Sequence, residues 1–60
     1  MSKEIMYDEV TMTSLEQNGR WYSVYKQGIP IVTNVNSHEG IRQFYRVVRE
    51  NKPKKEVNNG

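Results

Sequence analysis

The sequence predicts an α+β domain: a three-stranded antiparallel β-meander packed on one C-terminal α-helix. Three observations carry that prediction. The 60-residue chain holds seven valines, four isoleucines and three threonines, against one leucine and no alanine. Branching at Cβ disfavours helix and suits a pleated sheet, and the best helix formers are almost missing. Two dipeptides that accept turn geometry, Asn18-Gly19 and Gln27-Gly28, separate short runs of strand formers. After Asn36 the apolar spacing changes from period two to helical spacing.

Residues 1–8 show weak periodicity and are expected to form a flexible N-terminal segment, although Ile5 and Tyr7 could add to the first strand. The domain proper is expected over 9–50. Val10 to Gln17 alternates and forms the first strand. Asn18-Gly19 tolerates the positive φ angles of a type I′ turn, which makes a hairpin over 10–26 with Arg20 to Lys26 as the second strand. Gln27-Gly28 supplies the next turn, into a third strand over 29–35.

The register follows from the turns. With Asn18-Gly19 as the loop, Leu15 faces Tyr22 and Thr13 faces Val24. With Gln27-Gly28 as the loop, Lys26 faces Ile29 and Val24 faces Ile31. One face then carries Leu15, Tyr22, Val24, Ile29, Ile31 and Val35, and forms the core. The other carries Met12, Trp21, Tyr25 and Val32. Pro30 cannot donate to a ladder, so the third strand has to be an edge.

Ser37 is a suitable N-cap, Glu39 complements the helix dipole, and Ile41, Phe44, Tyr45 and Val48 recur at helical spacing. The helix is expected over 38–50, with that apolar stripe on the sheet and Gly40 weakening its start. Lys52-Pro53-Lys54-Lys55 ends it, and 51–60 form a basic tail expected to be disordered.

These features exclude more functions than they name. With no cysteine and one histidine, neither a disulfide scaffold nor a metal frame can be built, and Asp8-Glu9 is a carboxylate pair without further ligands. Ser37, His38 and Glu39 are consecutive and project in different directions, so they cannot form a nucleophile–base–orienter chain. No phosphate-cradling glycine loop is present. The expectation is a non-enzymatic protein with no cofactor, no metal and no small-molecule substrate. No apolar run approaches the ~20 residues of a membrane span, and no signal-peptide pattern opens the chain, which predicts a cytoplasmic protein.

Charge is unevenly divided. Residues 1–19 hold one base and four acids, whereas 20–60 hold eight bases and three acids, within an overall +2. Two candidate surfaces result. Arg42, Arg46 and Arg49 align along the helix, on a flank next to the expected buried face, and Lys52, Lys54 and Lys55 extend the basic run. Arginine forks suit successive phosphates, which points to a nucleic acid; the competing explanation is a solvated helix flank. Met12, Trp21, Tyr25 and Val32 would be exposed neighbours on the open side of the sheet, a patch suited to a host protein, a homodimer or stacked bases. The alternative there is that residues 1–8 fold over the patch as a lid.

The stretch Asn18-Gly19-Arg20-Trp21-Tyr22-Ser23-Val24-Tyr25, a glycine turn, a short strand and then Ser37 opening an amphipathic helix resembles the arm-type DNA-binding domain of tyrosine recombinases. That resemblance covers residues 15–50 and implies a three-stranded sheet plus helix, with the sheet in the major groove. It also implies a viral or mobile-element accessory protein, since no recombinase catalytic domain is present. Tyr7-Asp8-Glu9-Val10-Thr11-Met12, with Gly19, Tyr22, Tyr25 and Gly28, is similar to the first half of a small phage inhibitor of uracil-DNA glycosylase. This second likeness implies a protein-binding inhibitor. The leading expectation is a nucleic-acid-binding accessory protein. In it, the arginines and lysines hold phosphates while Trp21 and Tyr25 touch grooves or bases. The alternative is a protein-binding inhibitor or homodimeric module that uses the sheet face.

Overall fold

A computed structural model describes residues 2–53. The chain runs β1 (Ser2–Asp8), β2 (Thr13–Asn18), β3 (Trp21–Lys26), β4 (Ile29–Val35) and α1 (Ser37–Asn51). The strands form one antiparallel sheet in the order β1-β2-β3-β4, and α1 packs across β2, β3 and β4 on one side. The α+β class and the C-terminal helix are as expected, but the sheet has four strands, not three.

The extra strand is the segment expected to be flexible. Ser2–Asp8 pairs with β2 through Ser2–Asn18, Lys3–Gln17, Glu4–Glu16, Met6–Leu15, Tyr7–Ser14 and Asp8–Thr13. The register slips at Ile5, which is the extra residue between Glu4 and Met6. That slip breaks the period-two alternation and hides the strand in the sequence. Met6 packs against the core. The basic tail expected over 51–60 is corrected at its start, because Asn51 still belongs to α1; residues 54–60 lie outside the described residues.

Val10 to Met12, expected as strand, form the turn between β1 and β2 instead. The Asp8 carboxylate Oδ2 accepts the Thr11 backbone N–H at 3.0 Å and the Thr11 hydroxyl at 2.7 Å. Because the single Thr11 hydroxyl proton goes to the carboxylate, the Thr13 hydroxyl donates to Thr11 Oγ1 at 2.7 Å. Both threonines are buried, and this chain satisfies them. Met12 then takes a left-handed φ of 57°, and its carbonyl accepts the Gln27 N–H at 2.7 Å. That bond ties the first turn of the sheet to the third.

Between β2 and β3 the loop residues are Gly19 and Arg20, with Asn18 opposite Trp21. Only Gly19 has positive φ, the glycine-first pattern of a type II′ turn. The expected Asn18-Gly19 turn is therefore displaced by one residue, and Leu15 faces Val24 where Tyr22 was expected. A one-residue move of the loop slides the pairing by two positions. Two is the side-chain period, so every residue of these strands keeps its expected face. The Gln27-Gly28 turn forms as expected, with both φ values positive and Lys26 opposite Ile29.

β4 is an edge strand with Pro30 opposite Tyr25, as its missing N–H requires. Beyond Pro30 the register slips twice, so that Val24 faces Val32 and Tyr22 faces Val35. Asn34 sits in the second irregularity with φ 58°, a conformation that asparagine tolerates. Ile29 and Ile31, expected in the core, are exposed, and Val32, expected outside, packs against it.

The core is Leu15 and Val24 from the sheet with Phe44, Val47 and Val48 from the helix, supported by Met6, Tyr22 and Val32. Asn36 caps the helix, its Oδ1 accepting the Glu39 N–H at 2.8 Å, in place of the expected Ser37, which is the first helical residue. Gly40, Phe44, Val47 and Val48 form the buried stripe. Ile41 and Tyr45, expected within it, are exposed. Gly40 explains the rotation. A Cβ there would lie 2.7 Å from Tyr22 Cβ and 3.2 Å from Leu15 Cδ1. The helix backbone therefore presses on the sheet at its only Cβ-free residue.

Three measurements test this packing. Gly40→Ala, normally a gain of about 1 kcal/mol inside a helix, is expected to destabilise by about 1–3 kcal/mol, because Tyr22 Cβ belongs to a fixed part of the strand. A denaturant midpoint at or above wild type would refute the close approach. Phe44→Ala is expected to cost about 3–5 kcal/mol, enough to unfold most molecules of so small a domain; near-wild-type thermal stability would sink it. The Thr11 hydroxyl, then its N–H, hold the Asp8 carboxyl below its usual value, against an opposing effect of burial and with a smaller favourable field from Lys52. A depressed folded-state pKa contributes stability that is present above the unfolded value, near 4. That contribution is lost as pH falls through the folded value. Acid unfolding of Asp8→Asn is expected to lose that pH dependence below about pH 4; an unchanged acid limb would contradict the assignment.

Candidate functional surfaces

The turn of the helix on Gly40 decides where its charges point. At about 100° per residue, Arg42, Arg46 and Arg49 lie roughly 145–175° from the centre of the buried stripe. They form the outward ridge of α1, not the flank that the expected stripe implied. All three are exposed. Arg42 Nη1 approaches Glu39 Oε1 at 3.2 Å, and Arg46 Nη1 approaches Glu50 Oε2 at 3.4 Å. The Arg46 Nε–H also donates to Gln43 at 2.8 Å. These are solvent-facing pairs; the Arg42 side chain keeps 67% of its exposure. Such pairs are worth about 0–1 kcal/mol, little enough for a phosphate to displace the carboxylate.

The acids sit on one side of this ridge and the apolar residues on the other. Glu39, Gln43 and Glu50 share the acidic flank. Gln43 donates to Glu39 at 2.6 Å, and that bond, more than the Arg42 field, holds the Glu39 carboxyl below its usual value. Ile41 and Tyr45 lie on the other flank, where Tyr45 meets the Phe44 ring edge-on at 5.5 Å between centroids. Lys52 is exposed at the C-terminal cap, its N–H donating to the Val48 carbonyl at 2.9 Å. Lys54 and Lys55 lie outside the described residues. The structure thus brings Arg42, Arg46 and Arg49 onto one helix, with Lys52 at its C-terminal cap.

Trp21 and Tyr25 belong to the opposite side of the sheet. Leu15 and Val24 face the helix, so the residues that alternate with them form the outer face, and no helix among the described residues covers it. Pairing sorts that face into three rows. Tyr7, Ser14, Tyr25 and Pro30 cross the sheet in one row; Glu4, Glu16 and Ser23 in the next; Ser2, Asn18 and Trp21 in the third. Tyr7 is 51% exposed and Trp21 46%, while Tyr25 is half-buried. Met12 is exposed from the first turn, at the end of the Tyr7 row. Val32, expected with this patch, points to the core instead, because the slip after Pro30 reverses its side.

The lid expected as the alternative over this face does not form from residues 2–8. They lie edge to edge with β2 and extend the face, adding Tyr7 and Glu4 to it. Neither Tyr7 in this face nor the Glu4–Glu16 pair was legible, since only the slipped register of β1 places them there. Tyr7, Met12, Ser14, Gln27 and Gly28 line an open hollow of about 480 Å³ at one end of the face. Ser14 at its floor is only 9% exposed. Its hydroxyl has no hydrogen-bond partner among the described residues.

Ser37, His38 and Glu39 follow one another along the first turn of α1, and the Glu39 carboxylate bonds to Gln43 and Arg42, not to His38. Among the described residues no group of three His, Cys, Asp or Glu side chains is placed to hold a metal ion. No helix among them is long and apolar enough to cross a membrane. Set beside models of known protein families, curated proteins and solved structures, the chain matches none of them.

Proposed function

We propose that the chain is a small non-enzymatic nucleic-acid-binding protein that grips the phosphate backbone with the outward ridge of its helix. The observation that carries this reading is the placement of Arg42, Arg46 and Arg49 opposite the buried stripe, with Lys52 beyond them. Over about 10 Å of helix they present three guanidinium forks to one side, and each fork matches a phosphate bidentately. Tyr45 beside the ridge offers a ring for a base or sugar. The charge pattern favours the helix over the sheet for this role, since the outer sheet face carries Glu4 and Glu16. In this respect the reading departs from the recombinase arm-type domains that the sequence resembles, which use the sheet. An accessory role in a viral or mobile-element setting is part of the same proposal and rests on that resemblance.

A second reading, a protein-binding module, is favoured by a separate observation: Tyr7, Met12 and Trp21 stand exposed on the side that no helix among the described residues covers. The two readings use opposite sides of the sheet and can be tested apart.

Binding of duplex and single-stranded oligonucleotides in a salt series tests the first. Replacing Arg42, Arg46 and Arg49 with glutamine is expected to weaken binding across all sequences and to flatten the salt slope by about one for each lost phosphate contact. The melting temperature is expected to change little, since these side chains take no part in the core. No binding to any DNA or RNA at low salt would eliminate the proposal.

A further inference from the structure

We propose that the outer sheet face docks an extended protein segment carrying a lysine or arginine between two apolar side chains. This rests on the sheet-face reading and is independent of the helix ridge. Its first observation is charge. Glu4 and Glu16 face each other directly across β1 and β2, in the middle row of the outer face. Like charges in that position destabilise a sheet. No described base forms a salt bridge with either of them; the described bridges are both on the helix. An unrelieved carboxylate pair among aromatic side chains is complementary to one cation, which Trp21 and Tyr25 can also attract through their ring faces.

The second observation is the hollow. Ser14 is buried at its floor, and its hydroxyl has no partner among the described residues, while Tyr7 and Met12 supply apolar walls. Facing an open hollow with no protein partner among the described residues, this hydroxyl is available to a carbonyl or N–H of a bound segment. The third is spacing. Successive rows of one sheet face lie about 7 Å apart, which is also the distance between alternate side chains of an extended chain. A segment lying along the strands therefore sets residue i in the hollow, i+2 on the Glu4–Glu16 pair and i+4 against Trp21.

A second copy of this chain fits less well. A face-to-face dimer would bury four carboxylates together without a base. Stacking the basic helix of one copy on the sheet of the next gives a head-to-tail contact that, unless it closes into a ring, goes on to build filaments.

The test uses the full chain and two synthetic peptides. One is acetyl-Gly-Leu-Ser-Arg-Ser-Leu-Gly-amide, and the other has glutamate in place of arginine. Trp21 is the single tryptophan, so its fluorescence reports on this face directly. The arginine peptide is expected to shift Trp21 emission saturably, and the glutamate peptide is not. Replacing both Glu4 and Glu16 with glutamine is expected to weaken the arginine peptide at least tenfold. The same double change is expected to leave the melting temperature unchanged or raise it, because it relieves a like-charge pair; a loss of binding is thereby distinguished from a loss of fold. If both peptides bind equally, the face is a protein site but its partner is not basic, and the proposal falls while the sheet-face reading stands. If neither peptide shifts Trp21 at millimolar concentration, the proposal falls outright. A concentration-dependent dimer in sedimentation that hides Trp21, or a Trp21 shift with a single-stranded oligonucleotide, assigns the face to another occupant and also overturns it.

Discussion

The contact between Gly40 and Tyr22 fixes everything on the helical side of the molecule. The helix can lie this close to β3 only where it has no Cβ, so its rotation about its own axis has one solution. That rotation buries Phe44, Val47 and Val48 and leaves Ile41 and Tyr45 at the margin. It also lifts Arg42, Arg46 and Arg49 to the point farthest from the sheet. A helix seated on its larger apolar side chains alone would have turned the arginines toward the sheet and placed Tyr45 beneath them. The charge distribution on the surface is thus a consequence of one glycine in the interior.

A second constraint acts at the end of the sheet. Asp8, Thr11 and Thr13 form a short polar chain that closes the first turn while satisfying two buried hydroxyls. The Met12–Gln27 hydrogen bond then joins this turn to the one between β3 and β4. Neither turn alone would hold Tyr7, Met12 and Gly28 around Ser14. The hollow depends on two left-handed residues, Met12 and Gln27, that meet through a single backbone bond. Its position is set by backbone geometry, which frees the side chains that line it.

Much of this architecture was legible in the sequence, and the exceptions share a physical origin. Glycine turns, the edge position of Pro30 and the period-two faces of β2 and β3 depend on local chemistry, and they could be read directly. The displaced turn at Gly19-Arg20 did no harm, because the resulting slip was a whole period. The slips at Ile5, Ile31 and Asn34 were different: each shifts one strand by a single residue and reverses the sides that follow. That is why Val32 exchanged places with Ile31 and why β1 passed for an irregular segment. Such slips respond to the neighbouring strand, and a single run of sequence carries little trace of them. The phase of the helix was hidden for a related reason. Gly40 reads locally as a weak helix former, whereas its value lies in what it permits opposite Tyr22. Of the two candidate surfaces, the arginines were legible as a group and the outer aromatics as neighbours, but their separation to opposite sides followed only from the packing.

The irregularities of β1 and β4 have a further effect, on the crowd of identical molecules around each one. Both lateral borders of the sheet are interrupted, one at Ile5 and the other by Pro30 and the two slips beyond it. A foreign strand approaching either border meets a ladder whose donors and acceptors fall out of step after a few residues. Strand addition at such borders is a known route to fibres for chains rich in strand formers. The interruptions at Ile5 and beyond Pro30 therefore work against that route along both borders of the described sheet.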